Sequence, residues 1–195
     1  MPEIKDISAW IYGQAAAFGN DKIVITLRMA PFSGGDWEYL GIVIFNYNSS
    51  TGFSFYKSYK HASLAGQGEH RICYFNNKFY MSVDSTNELY SSNNGENFSK
   101  VSAITENCLS LDCNSSYLFV RTPYGLNYST NGISFYLLSN NDNMYINDVI
   151  CSDIVAVEVR ENNMSVWKQF QNSSLTNVLY SYNGYYRYFR QYGNY

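Results

Sequence analysis

Leu89-Tyr90-Ser91-Ser92-Asn93-Asn94-Gly95-Glu96-Asn97-Phe98 is echoed by Leu126-Asn127-Tyr128-Ser129-Thr130-Asn131-Gly132-Ile133-Ser134-Phe135, each with an aromatic three residues after its glycine. The two glycines stand 37 residues apart, and fainter copies surround Gly52 (residues 48–55) and Gly184 (residues 179–185). A motif this short recurs by chance in a chain rich in Asn and Ser, so what precedes it decides the reading. Residues 71–75 turn through Asn76-Asn77 into residues 78–83, two runs alternating with period 2 across a turn that tolerates positive φ. Residues 108–113, the turn Asn114-Ser115-Ser116 and residues 117–121 repeat that plan before the second motif. Less regular pairs occur at 22–29 with 40–45 and at 147–151 with 154–160. A long loop is expected over 31–38, and an insertion over 162–176 with its own strand at 164–170.

Each unit reads strand, tight turn, strand, loop, strand, glycine turn, strand in about 40 to 50 residues, the size of one four-stranded propeller blade. The expected fold is all-β, a small propeller-like repeat of about four blades, each of four antiparallel strands. It forms a single domain over 1–195 with units near 10–60, 61–103, 104–139 and 140–195. Because the outer units are longer and degenerate, a two-sheet β-sandwich is the alternative. In the motif, glycine supplies positive φ, the short polar side chains bond the turn backbone and the aromatic packs beneath. The structural turn residues expected on this basis are Ser91, Asn93, Gly95 and Phe98, then Thr130, Gly132 and Phe135, with Gly52 and Gly184 in the fainter copies.

Composition agrees with an all-β chain and narrows the partners. Twenty Tyr, only 3 Pro and 46% hydrophobic residues suit strands and a buried core. With 13 Lys+Arg against 16 Asp+Glu the chain has no basic field to neutralise phosphates, so nucleic acid is not an expected partner. No apolar window is long enough for a spanning helix, and residues 1–6 lack the basic and apolar regions of a signal peptide. The expected location is the cytoplasm of the producing cell or, on a likeness in style to bacteriophage particle proteins, a virion, with no membrane partner. The spacing of Cys73, Cys108, Cys113 and Cys151 fits no zinc signature; buried free thiols are expected, with no metal and no cofactor.

The glycine turn resembles the Asp-box of the sialidase-type BNR repeats, whose pattern is Ser-x-Asp-x-Gly-x-Thr-Trp. Ser91, Asn93, Gly95 and Phe98 occupy its positions with Asn for Asp and Phe for Trp, and Tyr128, Thr130, Gly132 and Phe135 do so without an acidic residue. The resemblance implies a β-propeller whose boxes lie at the blade edge, away from any catalytic face. Sialidases clamp a substrate carboxylate with three arginines, and this chain has Arg28, Arg121 and Arg160 at strand ends and Arg71 at a strand start. Those four are the candidate anion or glycan site. Glu69, Glu106 and Asp148, with a tyrosine nucleophile, complete a hydrolase reading. The plainer reading of a strand-end arginine is a snorkelling or ion-paired side chain.

Other catalytic sets fail on inventory. His61 and His70 bound a Gly-rich stretch that reads as a solvated inter-unit loop, and the short glycine clusters at 33–35 and 66–68 lack the lysine and helix of a phosphate loop. The C-terminal stretch is more unusual: Tyr185, Tyr186, Tyr188, Phe189, Tyr192 and Tyr195 alternate with Arg187 and Arg190 without an acid, a composition suited to an interface or to a closing strand. The expected function is a non-catalytic binding or structural protein, in style like the tail- or capsid-associated proteins of bacteriophage particles, making protein contacts. A glycan-binding lectin using Trp10, Trp37 and Trp167 as sugar platforms is the first alternative, and a sialidase-like glycoside hydrolase the second.

Overall fold

A computed structural model describes residues 9–31, 39–65, 70–83, 86, 88–138, 145–151, 155–161, 164–171 and 174–183. They form sixteen strands and, among the described residues, no helix. The first sheet contains β1 (Ala9–Gly19), β2 (Lys22–Pro31), β3 (Tyr39–Asn48) and β4 (Gly52–Ala65). The second contains β5 (His70–Phe75), β6 (Lys78–Val83), β7 (Glu88–Ser92) and β8 (Ser99–Lys100). β9 (Ser110–Cys113), β10 (Leu118–Thr122), β11 (Gly125–Ser129) and β12 (Tyr136–Leu137) make the third, and β13 (Tyr145–Cys151), β14 (Val155–Glu161), β15 (Met164–Gln171) and β16 (Ser174–Asn183) the fourth. Every sheet is an antiparallel meander, its strands neighbours in chain order.

Local chemistry explains the hairpins. Asn20 and Asp21 (φ 51° and 53°) and Asn76 and Asn77 (φ 46° and 60°) close the first hairpins of sheets one and two in the left-handed region, which Asn and Asp tolerate best after glycine. In sheet three Asn114 Oδ1 does that work by accepting the N–H groups of Ser116 and Tyr117 at 2.9 and 2.8 Å.

Successive sheets stack through their first strands: β1 packs on β5, β5 on β9, and β9 on β13. Among the described residues β13 makes no comparable contact with β1. The first seam buries Val24, Ile42 and Ile44 against Ile72, Phe79 and Met81, and the second buries Cys73, Phe75 and Leu89 against Leu111, Leu118 and Val120. Sheet two is covered on both faces, whereas among the described residues sheet one packs on its sheet-two face alone.

Several readings of the sequence change. β1 precedes the pair 22–29 and 40–45, which become second and third strands; its Ala-rich run carries no turn motif to announce it. β15 is the ordinary third strand of sheet four, so 162–176 is not an insertion. The link between the third and fourth strands there falls between Gln171 and Ser174, so the Gly184 copy follows the fourth strand instead of joining it to the third; Gly184 itself lies outside the described residues.

Candidate interaction surface

The glycine turns show how one sheet grips the next. Ser92 Oγ accepts the Gly95 N–H at 3.0 Å, and Asn94 Oδ1 accepts those of Glu96 and Asn97 at 2.9 and 3.2 Å. Ser129 Oγ and Asn131 Oδ1 repeat this on Gly132, Ile133 and Ser134 at 2.8, 2.8 and 2.9 Å. The closing side chains are thus Ser92, Asn94, Ser129 and Asn131, each one position beyond Ser91, Asn93, Tyr128 and Thr130. Ser91 instead lies in the ladder opposite Tyr80 and Ser99, while Asn93 and Thr130 are exposed. Gly95 and Gly132 have φ of 78° and 70°, and Phe98 and Phe135 pack against the two seams as the aromatic staples.

Each turn is also clasped by the preceding sheet. The Tyr59 hydroxyl on β4 lies 3.1 Å from the Gly95 carbonyl and 2.6 Å from that of Glu96, and the Tyr80 hydroxyl on β6 donates to the Gly132 carbonyl at 3.2 Å. Lys57 donates to Glu96 at 2.8 Å, and Asn76 to the Asn131 carbonyl at 3.0 Å. A Cβ on Gly95 would stand 2.5 Å from Val24 Cγ2, and one on Gly132 would meet the Tyr80 hydroxyl. Sheet one's own turn differs. Gly52 (φ 75°) closes it with Asn48 Oδ1 accepting from Ser50 and Thr51, but a Cβ there would meet nothing within 4 Å.

That turn borders an apolar face on which, among the described residues, no other sheet packs. Directly paired residues share a face, so register lines up Phe18, Ile23, Phe45 and Phe55 in one row across β1 to β4, and Ala16, Ile25 and Val43 in the next. Their neighbours Val24, Ile42 and Ile44 point the other way, into the first seam. Phe18 is 54% exposed, Phe53 57% and Phe55 62%. Ring contacts order the row: Phe18 lies edge-on to Tyr47 at 5.6 Å, Phe45 to Phe55 at 6.0 Å, and Tyr47 lies 4.9 Å from Phe53. An amphipathic sheet with one solvated face alternates polar outward residues with apolar inward ones. β2 (Ile23-Val24-Ile25-Thr26-Leu27) and β3 (Leu40-Gly41-Ile42-Val43-Ile44-Phe45) are instead apolar on both faces, the pattern of strands covered on each side. Sequence reading missed this face, although the unbroken apolar runs were there to find it.

The arginines are spread out by the same register. Arg28 pairs with Leu40 and so faces sheet two; Arg71 pairs with Ser82, on the Tyr80 side facing sheet three; Arg121 shares the Phe119 face turned from sheet two. They occupy successive seams, at the ends of the sheets away from the glycine turns. Arg160 pairs with Tyr145 and Ser165; its side chain, with those of Asp148, Trp10 and Trp167, lies outside the described residues, as do Glu69, Trp37 and the stretch from Tyr185 to Tyr195. Glu106 is exposed in the loop before β9.

Neither histidine is a solvated loop residue: His61 lies within β4, half-buried and with its pKa lowered by burial, and His70 opens β5 fully buried. Burial raises the pKa of Tyr59, Tyr80 and Tyr90, opposite to what a nucleophilic phenol needs. Cys73 and Cys108 are buried thiols outside any disulfide; burial pushes Cys108 up to about 12, while the half-buried Cys113 donates to the Tyr74 carbonyl at 3.2 Å. Among the described residues no His, Cys, Asp and Glu side chains cluster as metal ligands, and no helix is long and apolar enough to cross a membrane.

No family model matches the chain, and no curated protein matches it. A solved structure, "Crystal Structure of the N-terminal Domain of Nup159", is similar at 12% identity and a TM-score of 0.52, over 93% of this chain and 52% of that one. That neighbour is a β-propeller. At this identity the likeness concerns fold alone, and the present chain spans about half the length of the propeller it matches.

Proposed function

We propose that this chain is a non-catalytic β-propeller module whose four sheets are blades and whose work is to hold protein partners. The uncovered face of the first sheet carries the reading. Phe18 on β1 and Phe53 and Phe55 on β4 stand in solvent, flanking β2 and β3, whose apolar runs suit burial on both sides. Contiguous apolar surface of this kind marks an interaction site more often than it decorates an isolated monomer. Arg28, Arg71 and Arg121, spread over separate seams, support binding over hydrolysis. The BNR likeness contributes the blade plan, with its serine and asparagine displaced one position toward the glycine. Assignment to a bacteriophage virion rests on composition, and the C-terminal tyrosines from Tyr185 to Tyr195 are a second contact segment on the same ground.

A glycan array run beside assays on sialosides and simple glycosides tests the reading. No glycan retention and no turnover are expected; specific retention of one glycan class would replace the protein-contact function with a lectin, and turnover would replace it with a hydrolase.

A further inference from the structure

Sheets one and four end the stack differently from the way the inner sheets meet. In the first and second seams a sheet receives the preceding sheet on one face, and a tyrosine hydroxyl from that preceding sheet closes on its glycine turn. Sheet one has both halves of that receiving surface, the apolar row through Phe18, Ile23, Phe45 and Phe55 and the glycine turn at Gly52, yet within 4 Å of a Cβ on Gly52 there is nothing. Stacking order makes a fourth sheet the element that precedes a first one around a ring, but β13 of the same chain packs on β9 and, among the described residues, not comparably on β1. The propeller that this chain resembles is covered over only 52% of its length by these four sheets, so they correspond to about half of such a ring.

We infer that a second copy of this chain occupies the outer face of the first sheet, its fourth sheet seated on the row of Phe18 and Phe55, so that two chains close one ring through two equivalent seams. The inference rests on the protein-contact reading above and names the partner. A closed two-copy arrangement uses each end surface once and leaves no growing end, which is how a head-to-tail contact avoids becoming a filament. It also removes the exposed sheet face that favours uncontrolled association.

Light scattering on a sizing column and sedimentation velocity on the whole chain, from micromolar to submillimolar concentration, test it. A mass of twice 22.4 kDa is expected, with a melting temperature that rises with protein concentration. Phe18→Ser combined with Phe55→Ser should weaken association on the order of tenfold or more, and should remove the concentration dependence while circular dichroism keeps its β spectrum. Tyr124→Ser, at an exposed turn of sheet three, should leave the dimer intact. Cross-linking a mixture of isotopically light and heavy chains should join Lys60 of one copy, on the outer face beside Gly41, to Lys168 of the other. A monomeric parent chain overturns the inference, as does a dimer indifferent to the double substitution. Cross-links only between the two Lys60 residues would mean first sheets meeting face to face and would overturn it also. A monomer with a silent glycan array removes the second copy and leaves the protein-contact function standing, whereas glycan retention or turnover removes that function whatever the mass.

Discussion

The first and second sheets share a meander plan and differ in nearly everything that burial controls. Sheet one has strands of 10 to 14 residues, one packed face and a glycine turn in open space. Sheet two has strands of 2 to 6 residues, and its glycine turn is wedged under a tyrosine of its predecessor. β6 shows the consequence, buried at every position from Phe79 to Val83, while β3 alternates buried and half-buried residues from Ile42 to Phe45. A glycine turn thus does different work in the two places. Within a single copy the turn of sheet one only reverses the chain; in sheets two and three it is also a socket for the neighbouring sheet of the same chain.

The strongest way to break that contrast is to fill the socket. Gly95→Val or Gly132→Val must both hold positive φ with a β-branched side chain and displace Val24 or Tyr80 from the seam. Strain and overpacking together put the loss at roughly 3 kcal/mol or more for each. Urea midpoints measure it, and an unchanged midpoint would show that the turns are not seam elements. Removing the clasp instead of filling the socket is milder. Tyr59→Phe and Tyr80→Phe leave ring packing in place and delete hydroxyl bonds to the turn carbonyls, a loss of about 1–2 kcal/mol each. Their double combinations with the matching glycine substitutions should fall short of additive, since both act on one contact. Gly52→Ala meets no neighbour and carries only the backbone strain of its φ of 75°, about 1 kcal/mol. A loss at Gly52 as large as at Gly95 would erase the distinction.

Legibility in the sequence follows the same divide. The hairpin through Asn76-Asn77 and the turns at Gly95 and Gly132 could be read because short loops need residues that accept positive φ, and those residues are few. The closing pair Ser92 and Asn94 could not be placed from the string Ser91-Ser92-Asn93-Asn94, in which either serine and either asparagine suits a turn; only backbone geometry selects between them. β1 is not legible in the sequence because Ala15-Ala16-Ala17 has neither alternation nor turn signal, and its strand pairing comes from β2. The glycines before His70 suggest a solvated loop, whereas cross-strand pairing with Val83 places it, buried, in the sheet. The interaction surface was legible in principle. Ile23–Leu27 and Leu40–Phe45 are apolar on consecutive positions, which a half-solvated sheet does not require, but a turn-centred reading passes over what lies between turns.

The smallest effect expected tests whether the first seam has an electrostatic component. Glu96 in the turn of sheet two accepts from Lys57 at 2.8 Å and lies 3.8 Å from Lys22 Nζ, both lysines belonging to sheet one. The hydrogen bond from Lys57 is the main cause holding the Glu96 carboxyl below its ordinary pKa of 4.5, and the same bond raises Lys57 above 10.5. A carboxylate with a depressed folded-state pKa stabilises fully above its ordinary value, and that contribution disappears as pH falls through the depressed one. The raised lysine contributes below 10.5 and loses its share as pH rises through the folded value. Glu96→Gln should therefore lower the urea midpoint slightly at neutral pH, and the difference from the parent should vanish in strong acid. Since Lys57 is solvent-facing, added salt should also shrink the neutral-pH difference. Glu88 is the comparison within one sheet: hydrogen bonds from Lys100 and Tyr90 hold its pKa down, so Glu88→Gln should alter the acid limb without removing an ion pair between sheets one and two. If Glu96→Gln and the parent share one acid limb, the seam is held by apolar contacts and tyrosine hydroxyls alone, and the contrast between the two sheets reduces to burial.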